Sequence, residues 1–226
     1  MPMSKVWEII LESFWPLFSK GLLVTIPLTA ISFAAALVIA VIVALIQYAK
    51  VPVLRQIARF YIWIIRGTPL LVQLFIVFYG LPGLGFHVNA FWAAVFVFSF
   101  CEGAYCAETI RGALESVPYG QMDAAYSVGM NFNQAMRRIV LPQAFRNAFP
   151  ALMNSLISMV KDTSLAANIT VQEMFMTGQR IAGRTYQFLA IYIEVAFIYL
   201  MFCTILSFVQ KKLEKVLGRY ENERPL

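Results

Sequence analysis

Charge is what this 226-residue chain has least of. Asp, Glu, Lys and Arg together make up 13% of it, about half the share found in soluble domains. Such a chain cannot cover its surface in water, and a mean hydropathy of +0.71 puts it in the membrane class. Cysteine is also scarce. Cys101, Cys106 and Cys203 all fall in apolar runs without zinc-type spacing, and an odd number there argues against a disulfide framework. They read as small core residues. The single histidine, His87, sits in a connecting loop and reads as bystander surface. There is no G-x-x-x-x-G-K-[ST] phosphate loop, no HExxH, no GxSxG and no paired ligand cluster, which speaks against nucleotide binding, metal sites and the commoner hydrolytic chemistries. Internal repeats, low-complexity segments and linkers are missing too, so one integral membrane domain is the simplest account.

What is there is apolar length. Five stretches can cross a hydrocarbon core, which takes about 20 mostly apolar residues. They are 22–48, 53–81, 90–110, 143–160 and 186–209. The second carries Arg55, Arg59 and the sequence RGTP at Arg66–Pro69; the third holds Glu102 and Glu108; the fourth is short and polar-rich; the fifth contains Glu194. Lysine and arginine fall twelve on one side against five on the other. The richer side is cytoplasmic, which places the amino terminus outside and the carboxyl terminus inside. The net charge of +6 is explained by this topology. No basic patch interleaved with aromatics points to nucleic acid. The start, MPMSKVWEIILESFWPLFSKG, has glutamates where a cleavable signal needs an apolar core. It reads as an amphipathic helix lying on the outer leaflet, with Trp7 and Trp15 in the headgroup layer.

One cytoplasmic segment differs from the rest: DAAYSVGMNFNQAMRRIVLP, residues 123–142. The first part, 121–128, predicts a helix in which Ala124 and Ala125 allow close backbone approach. Gly129 can end it in the left-handed conformation, and Asn131 or Asn133 can cap a second helix. There Phe132, Ala135, Met136, Ile139 and Val140 form a helical stripe, with Arg137 and Arg138 on the other face. Pro142 disfavours helix at Leu141 and suits the first turn of the next span. The expectation is a compact amphipathic elbow that fits a groove on a soluble partner.

This segment resembles the cytoplasmic coupling loop of binding-protein-dependent ABC importer permeases, with Asp123 in place of the usual Glu. Three further blocks resemble the polar amino acid permeases: ARFYIWIIRGTPLLVQLFIVFYGLP, GAYCAETIRGALESVPYGQ and NSLISMVKDTSLAANITVQEMF. The segments KDTSLAANITVQE and QRIAGRT look most like cystine permeases. The likeness runs from about Leu22 to Gly218. It implies an all-α, polytopic type I ABC importer permease of five transmembrane helices. It further implies that two permease chains pair across the bilayer, either two copies of this one in a homodimer or this one with a related second permease. Two ATPase subunits bind ATP and Mg, and an extracytoplasmic solute-binding protein delivers the amino acid. No cofactor is expected in this chain, which is a transport subunit and not an enzyme, in the bacterial plasma (inner) membrane. The layout expected is a leader at 1–19, a permease domain at 20–218 with its coupling loop at 121–142, and a cytoplasmic tail at 219–226. The coupling residues would be Asp123, Ala124, Ala125, Gly129, Phe132, Met136, Arg137, Arg138, Leu141 and Pro142. A secondary carrier driven by an ion gradient, using Glu102 and Glu194, is the alternative; five spans without a repeat give it no alternating halves.

Ionisable residues at membrane depth face a cavity or a partner. Arg66, before the helix-breaking Gly67-Thr68-Pro69, either holds the amino acid carboxylate or pairs with Glu102 or another carboxylate. Glu102 could meet an ammonium group, and Tyr105 either lines the path or packs between helices. Glu108 and Arg111 are explained by pairing three residues apart. Ser155 and Asp162 share one helix face, flanked by Asn154 and Ser158. Asp162 with Thr163 and Ser164 either receives the ammonium group or caps the next segment, with Lys161 paired to Asp162. Glu194 has no evident partner in the sequence and is expected at a dimer seam.

Overall fold

The computed structural model describes residues 3–49 and 51–218. Lys50, Arg219 and Arg224, which enter the charge bias, and the expected tail 219–226 lie outside the described residues. Among the described residues there are ten α-helices, some of them joined by π or 3-10 segments, and no strand. They are α1 (Met3–Lys20), α2 (Ile26–Ala49), α3 (Pro52–Arg66), α4 (Leu70–Phe75), α5 (Ala90–Glu115), α6 (Tyr119–Ser127), α7 (Phe132–Ala135), α8 (Leu141–Asp162), α9 (Met174–Thr185) and α10 (Phe188–Gly218). Among the described residues, three stretches are long and apolar enough to cross a membrane: Lys5–Ala49, Ala90–Glu115 and Phe188–Leu217. The pair Pro52–Arg66 and Leu70–Leu84, sharply bent at Gly67-Thr68-Pro69, makes a fourth if the two are counted as one broken span. Helix α8 covers the expected fourth span but fails on hydropathy, because Arg146, Asn147, Asn154 and Lys161 dilute it.

The prolines account for the irregular turns. Among the described residues there are three π-helical turns, Gly21–Thr25, Ile76–Gly80 and Met136–Val140. Each is followed by one residue and then proline: Ile26-Pro27, Leu81-Pro82 and Leu141-Pro142. Proline donates no hydrogen bond and its ring crowds the carbonyl four residues back. Widening the preceding turn relieves that crowding while the residue before proline still donates, five residues back. Ile26 bonds the Gly21 carbonyl, Leu81 that of Ile76, and Leu141 that of Met136. Two expectations change as a result. Leu141 is helical, so Pro142 bends the chain's bonding pattern without stopping the helix. The leader, too, does not end before the first span: α1 runs through the π turn into α2, giving a 45-residue helix, Lys5–Ala49. At about 1.5 Å per residue that is about 67 Å, twice a hydrocarbon core.

The chain divides into two compact units. One takes in the described residues up to Ala34 with Thr68–Ser99 and Leu156–Ser207. Its core joins Leu17 of α1, Val160 of α8, Met174 and Ala182 of α9, and Ile191, Val195, Ile198 and Phe202 of α10. Gly178 lets α9 approach α10, since a Cβ there would stand 2.6 Å from Val195 Cγ2. Glu194 is buried in this unit and takes a hydrogen bond from the Ser13 hydroxyl at 2.5 Å. It therefore faces α1 and not a free seam, a partner 181 residues away that sequence spacing could not supply. The other unit comprises Ala35–Gly67, Phe100–Ser155 and the described residues from Phe208 on. There the Tyr61 hydroxyl donates to the Phe100 carbonyl at 2.5 Å, tying α3 to α5.

Candidate functional sites

The elbow forms as two capped pieces within the second unit. Pro118 precedes α6 with extended backbone. Helix α6 ends with Gly129 at φ +80°. The Gly129 amide bonds the Tyr126 carbonyl and the Met130 amide bonds that of Ala125, a Schellman pairing that satisfies carbonyls left over at a helix end. Asn131, not Asn133, is the next cap. Its side chain accepts from the Gln134 amide at 3.0 Å while the Gln134 side chain accepts from the Asn131 amide at 3.0 Å, a reciprocal capping box. The helical stripe divides in the folded chain. Ala125, Ala135, Met136 and Val140 are buried and Ile139 half-buried, whereas Phe132 is exposed. Of the expected coupling residues, Asp123, Ala124, Gly129, Phe132, Arg137, Arg138, Leu141 and Pro142 are exposed. Ala125 and Met136 instead hold the elbow together from inside.

Arg66 ends α3 in the same unit, and its partner is Glu108, not Glu102. Arg66 Nη1 lies 3.8 Å from Glu108 Oε2, and the guanidinium sits 5.2 Å over the Tyr105 ring. Glu108 also accepts two bonds from Arg111, at 3.0 and 3.2 Å, and one from Gln47 at 3.1 Å. Arg111 reaches on to Glu115 at 2.7 Å. Glu102 is half-buried and takes a bond from the Cys106 thiol at 3.5 Å, and Ser155 is half-buried. Asn154 is exposed and accepts from Gln210 of α10 at 3.2 Å. The remaining expected solute residues belong to the other unit. Ser158 is exposed, Asp162 and Ser164 are half-buried, and Thr163 is fully buried, donating to the Val160 carbonyl at 2.6 Å. Asp162 makes no capping hydrogen bond, and no ion pair joins it to Lys161 among the described residues. Helix α8 passes straight into a 3-10 segment, Thr163–Ile169, leaving no orphan amide at Ser164 to cap.

Sequence reasoning missed Glu173. It is fully buried and caps α9, accepting from the Phe175 and Met176 amides at 2.8 and 2.7 Å. Tyr199 of α10 adds a bond at 3.1 Å and Thr25 one at 3.4 Å. Burial pushes the carboxyl above the usual carboxylate range, and these four bonds oppose the rise. The signal in the sequence was a lone acid immediately before a helical pattern, which is an N-cap position.

This chain, with its capped elbow and its break at Gly67-Thr68-Pro69, is similar to known proteins. The family described as "Binding-protein-dependent transport system inner membrane component" matches residues 36–219. The chain belongs to this family. Its helices have the type I ABC importer permease fold, and it is a multi-pass protein of the bacterial inner membrane, a permease subunit rather than an enzyme. The L-cystine transport system permease protein TcyB of Bacillus subtilis (strain 168) is 47% identical over 215 residues, covering 95% of this chain and 92% of the relative. A crystal structure of an amino acid ABC transporter with histidines matches with a TM-score of 0.85 at 34% identity, over 91% of this chain and 96% of that one. The MetNI methionine ABC transporter, in inward-facing conformations, matches with a TM-score of 0.68 over 96% of this chain and 99% of that one. Its 16% identity speaks for the fold alone.

Proposed function

We propose that this permease passes a polar L-amino acid, cystine in the first instance, into the cytoplasm, driven by ATP hydrolysis in partner subunits. The observation that carries the reading is the 47% identity with an L-cystine permease across 95% of the chain. Five spans are proposed, with α8 as the fourth. Its 22 residues reach about 33 Å, enough to cross, and its polar residues suit a helix that faces protein or water and not lipid. The lysine and arginine bias supports an outer amino terminus and a cytoplasmic elbow and carboxyl terminus. The permease domain is taken as 20–218, with the leader 1–19 outside and the tail 219–226 inside.

Two such chains would pair, each resting its elbow on one of two ATPase subunits that bind ATP and Mg, while an extracytoplasmic binding protein delivers the solute. The exposed Phe132, Arg137 and Arg138, with Asp123 and Ala124, suit that docking face. Cystine carries two carboxylates and two ammonium groups, so its recognition calls for both charge signs. Within the second unit Arg66 suits a carboxylate, Glu102 an ammonium group, and Asn154 and Ser155 neutral hydrogen bonds; within the first, Asp162 suits an ammonium group and Ser158 and Ser164 neutral hydrogen bonds, whereas Thr163 is buried and already donates to the Val160 carbonyl. The test is the complex of permease, ATPase and binding protein in liposomes. Cystine should stimulate hydrolysis and ATP-dependent uptake, and Asp162→Asn should raise the half-saturating concentration. Uptake that ignores ATP and follows an imposed ion gradient would refute the reading.

A further inference from the structure

A cavity of about 790 Å³ opens within the second unit, walled by the end of α2, by α3, by the end of α5 and by the elbow. Its charges are unevenly matched. Arg111 is satisfied by Glu108 and Glu115, which uses up the acids that line the space. Arg55 and Arg59, one helical turn apart on α3, also line it, and no ion pair joins either to an acid among the described residues. Arg55 Nε is buried without a hydrogen-bond partner. Buried guanidinium N–H groups are costly to leave unbonded, so the pair reads as a site awaiting an anion. The remaining wall is amphipathic: Ile62, Trp63 and Leu114 on one side, Tyr48 and Tyr119 on another. Next to it on α3, Leu54, Ile57 and Phe60 are exposed apolar side chains, available to acyl chains.

We propose that this cavity binds the phosphate ester of an anionic phospholipid headgroup from the leaflet on the elbow's side, with Arg55 and Arg59 as its ligands. Two guanidinium forks match phosphate oxygens in geometry as well as charge. Basic pockets between membrane helices on the cytoplasmic side are suited to such headgroups. Phe132 and Met122 of the elbow border the same space, so an occupant would brace the elbow against α3. The site is independent of which solute is carried.

The test uses the permease–ATPase complex in nanodiscs, released and weighed by native mass spectrometry. From a phosphatidylglycerol–phosphatidylcholine mixture, the wild type should retain phosphatidylglycerol. The double variant Arg55→Gln, Arg59→Gln should bind it about tenfold or more weakly. Arg59→Gln alone, at an exposed position, should show a smaller loss with the complex intact by gel filtration, and Arg59→Lys should recover part of it. Competition by inorganic phosphate would support the phosphate chemistry and show that a soluble phosphate can also enter. Equal retention in wild type and double variant would overturn the proposal. So would release of the lipid by free amino acid but not by phosphate, which would put the cavity on the solute path.

Discussion

At the scale of single residues, two positions carry more than their chemistry suggests. Gly129 holds φ +80° with open space where a Cβ would stand, so any substitution acts through backbone strain and not through a clash. The left-handed conformation costs an ordinary residue about 1–2 kcal/mol. Gly129→Ala should therefore speed hydrogen exchange of the 126–136 amides severalfold while leaving exchange in α5 unchanged. Glu173 works through burial. The folded chain holds its proton more tightly than the unfolded chain, so its contribution to stability is fully present below the ordinary carboxylate value, about 4.3. That contribution is lost as pH rises through the raised folded value. The melting temperature of the detergent-solubilised protein should fall over that window, and Glu173→Gln, which has no proton to lose, should flatten the fall. Parallel curves for the two proteins would refute the assignment. Neither the Glu173 cluster nor the Ser13–Glu194 bond was legible in the sequence. Their partners lie 148 and 181 residues away, and only folding brings them together.

Among the elements, the elbow was the most legible. Its glycine, its asparagine and the alternation of apolar and basic residues are local signals, read over distances of three or four residues, and the caps formed where local chemistry puts them. The division of the stripe was not legible. Phe132 shares a helical face with Ala135 and Met136, yet it is left exposed while those two are buried. Which apolar residue stays outside depends on α6, against which α7 and the π turn after it pack, not on α7 itself. Phe132→Ala and Arg137→Glu change exposed side chains and should leave the permease folded. Either should weaken association with the ATPase about tenfold, as expected when an interface anchor is lost, in a pull-down titration of purified subunits. Ala125→Asp would by contrast place a carboxylate in a 1%-exposed position and report on folding, not on docking. Asn131→Ala removes the reciprocal cap and should cost about 1 kcal/mol of elbow stability.

For the whole molecule, composition decided the class. A chain with 13% charged residues and 60% apolar ones has no soluble solution, and a lipid-facing helical protein must satisfy its backbone within its own helices. Topology is testable directly. In a background with Cys101, Cys106 and Cys203 replaced by alanine, His87→Cys should react with a membrane-impermeant maleimide from outside intact cells. Arg137→Cys should react only in inverted vesicles. The reverse pattern would invert the proposed orientation.

The amino-acid sequence alone determined the membrane class, the broken second span and the elbow with its caps, because hydropathy, proline and glycine act over a few residues of chain. Tertiary structure decided that Arg66 meets Glu108, that Glu173 and Glu194 are buried against distant partners, and which elbow side chains face outward. Each of these depends on surfaces far apart in the chain being pressed together, where burial and charge satisfaction, not local propensity, set the outcome.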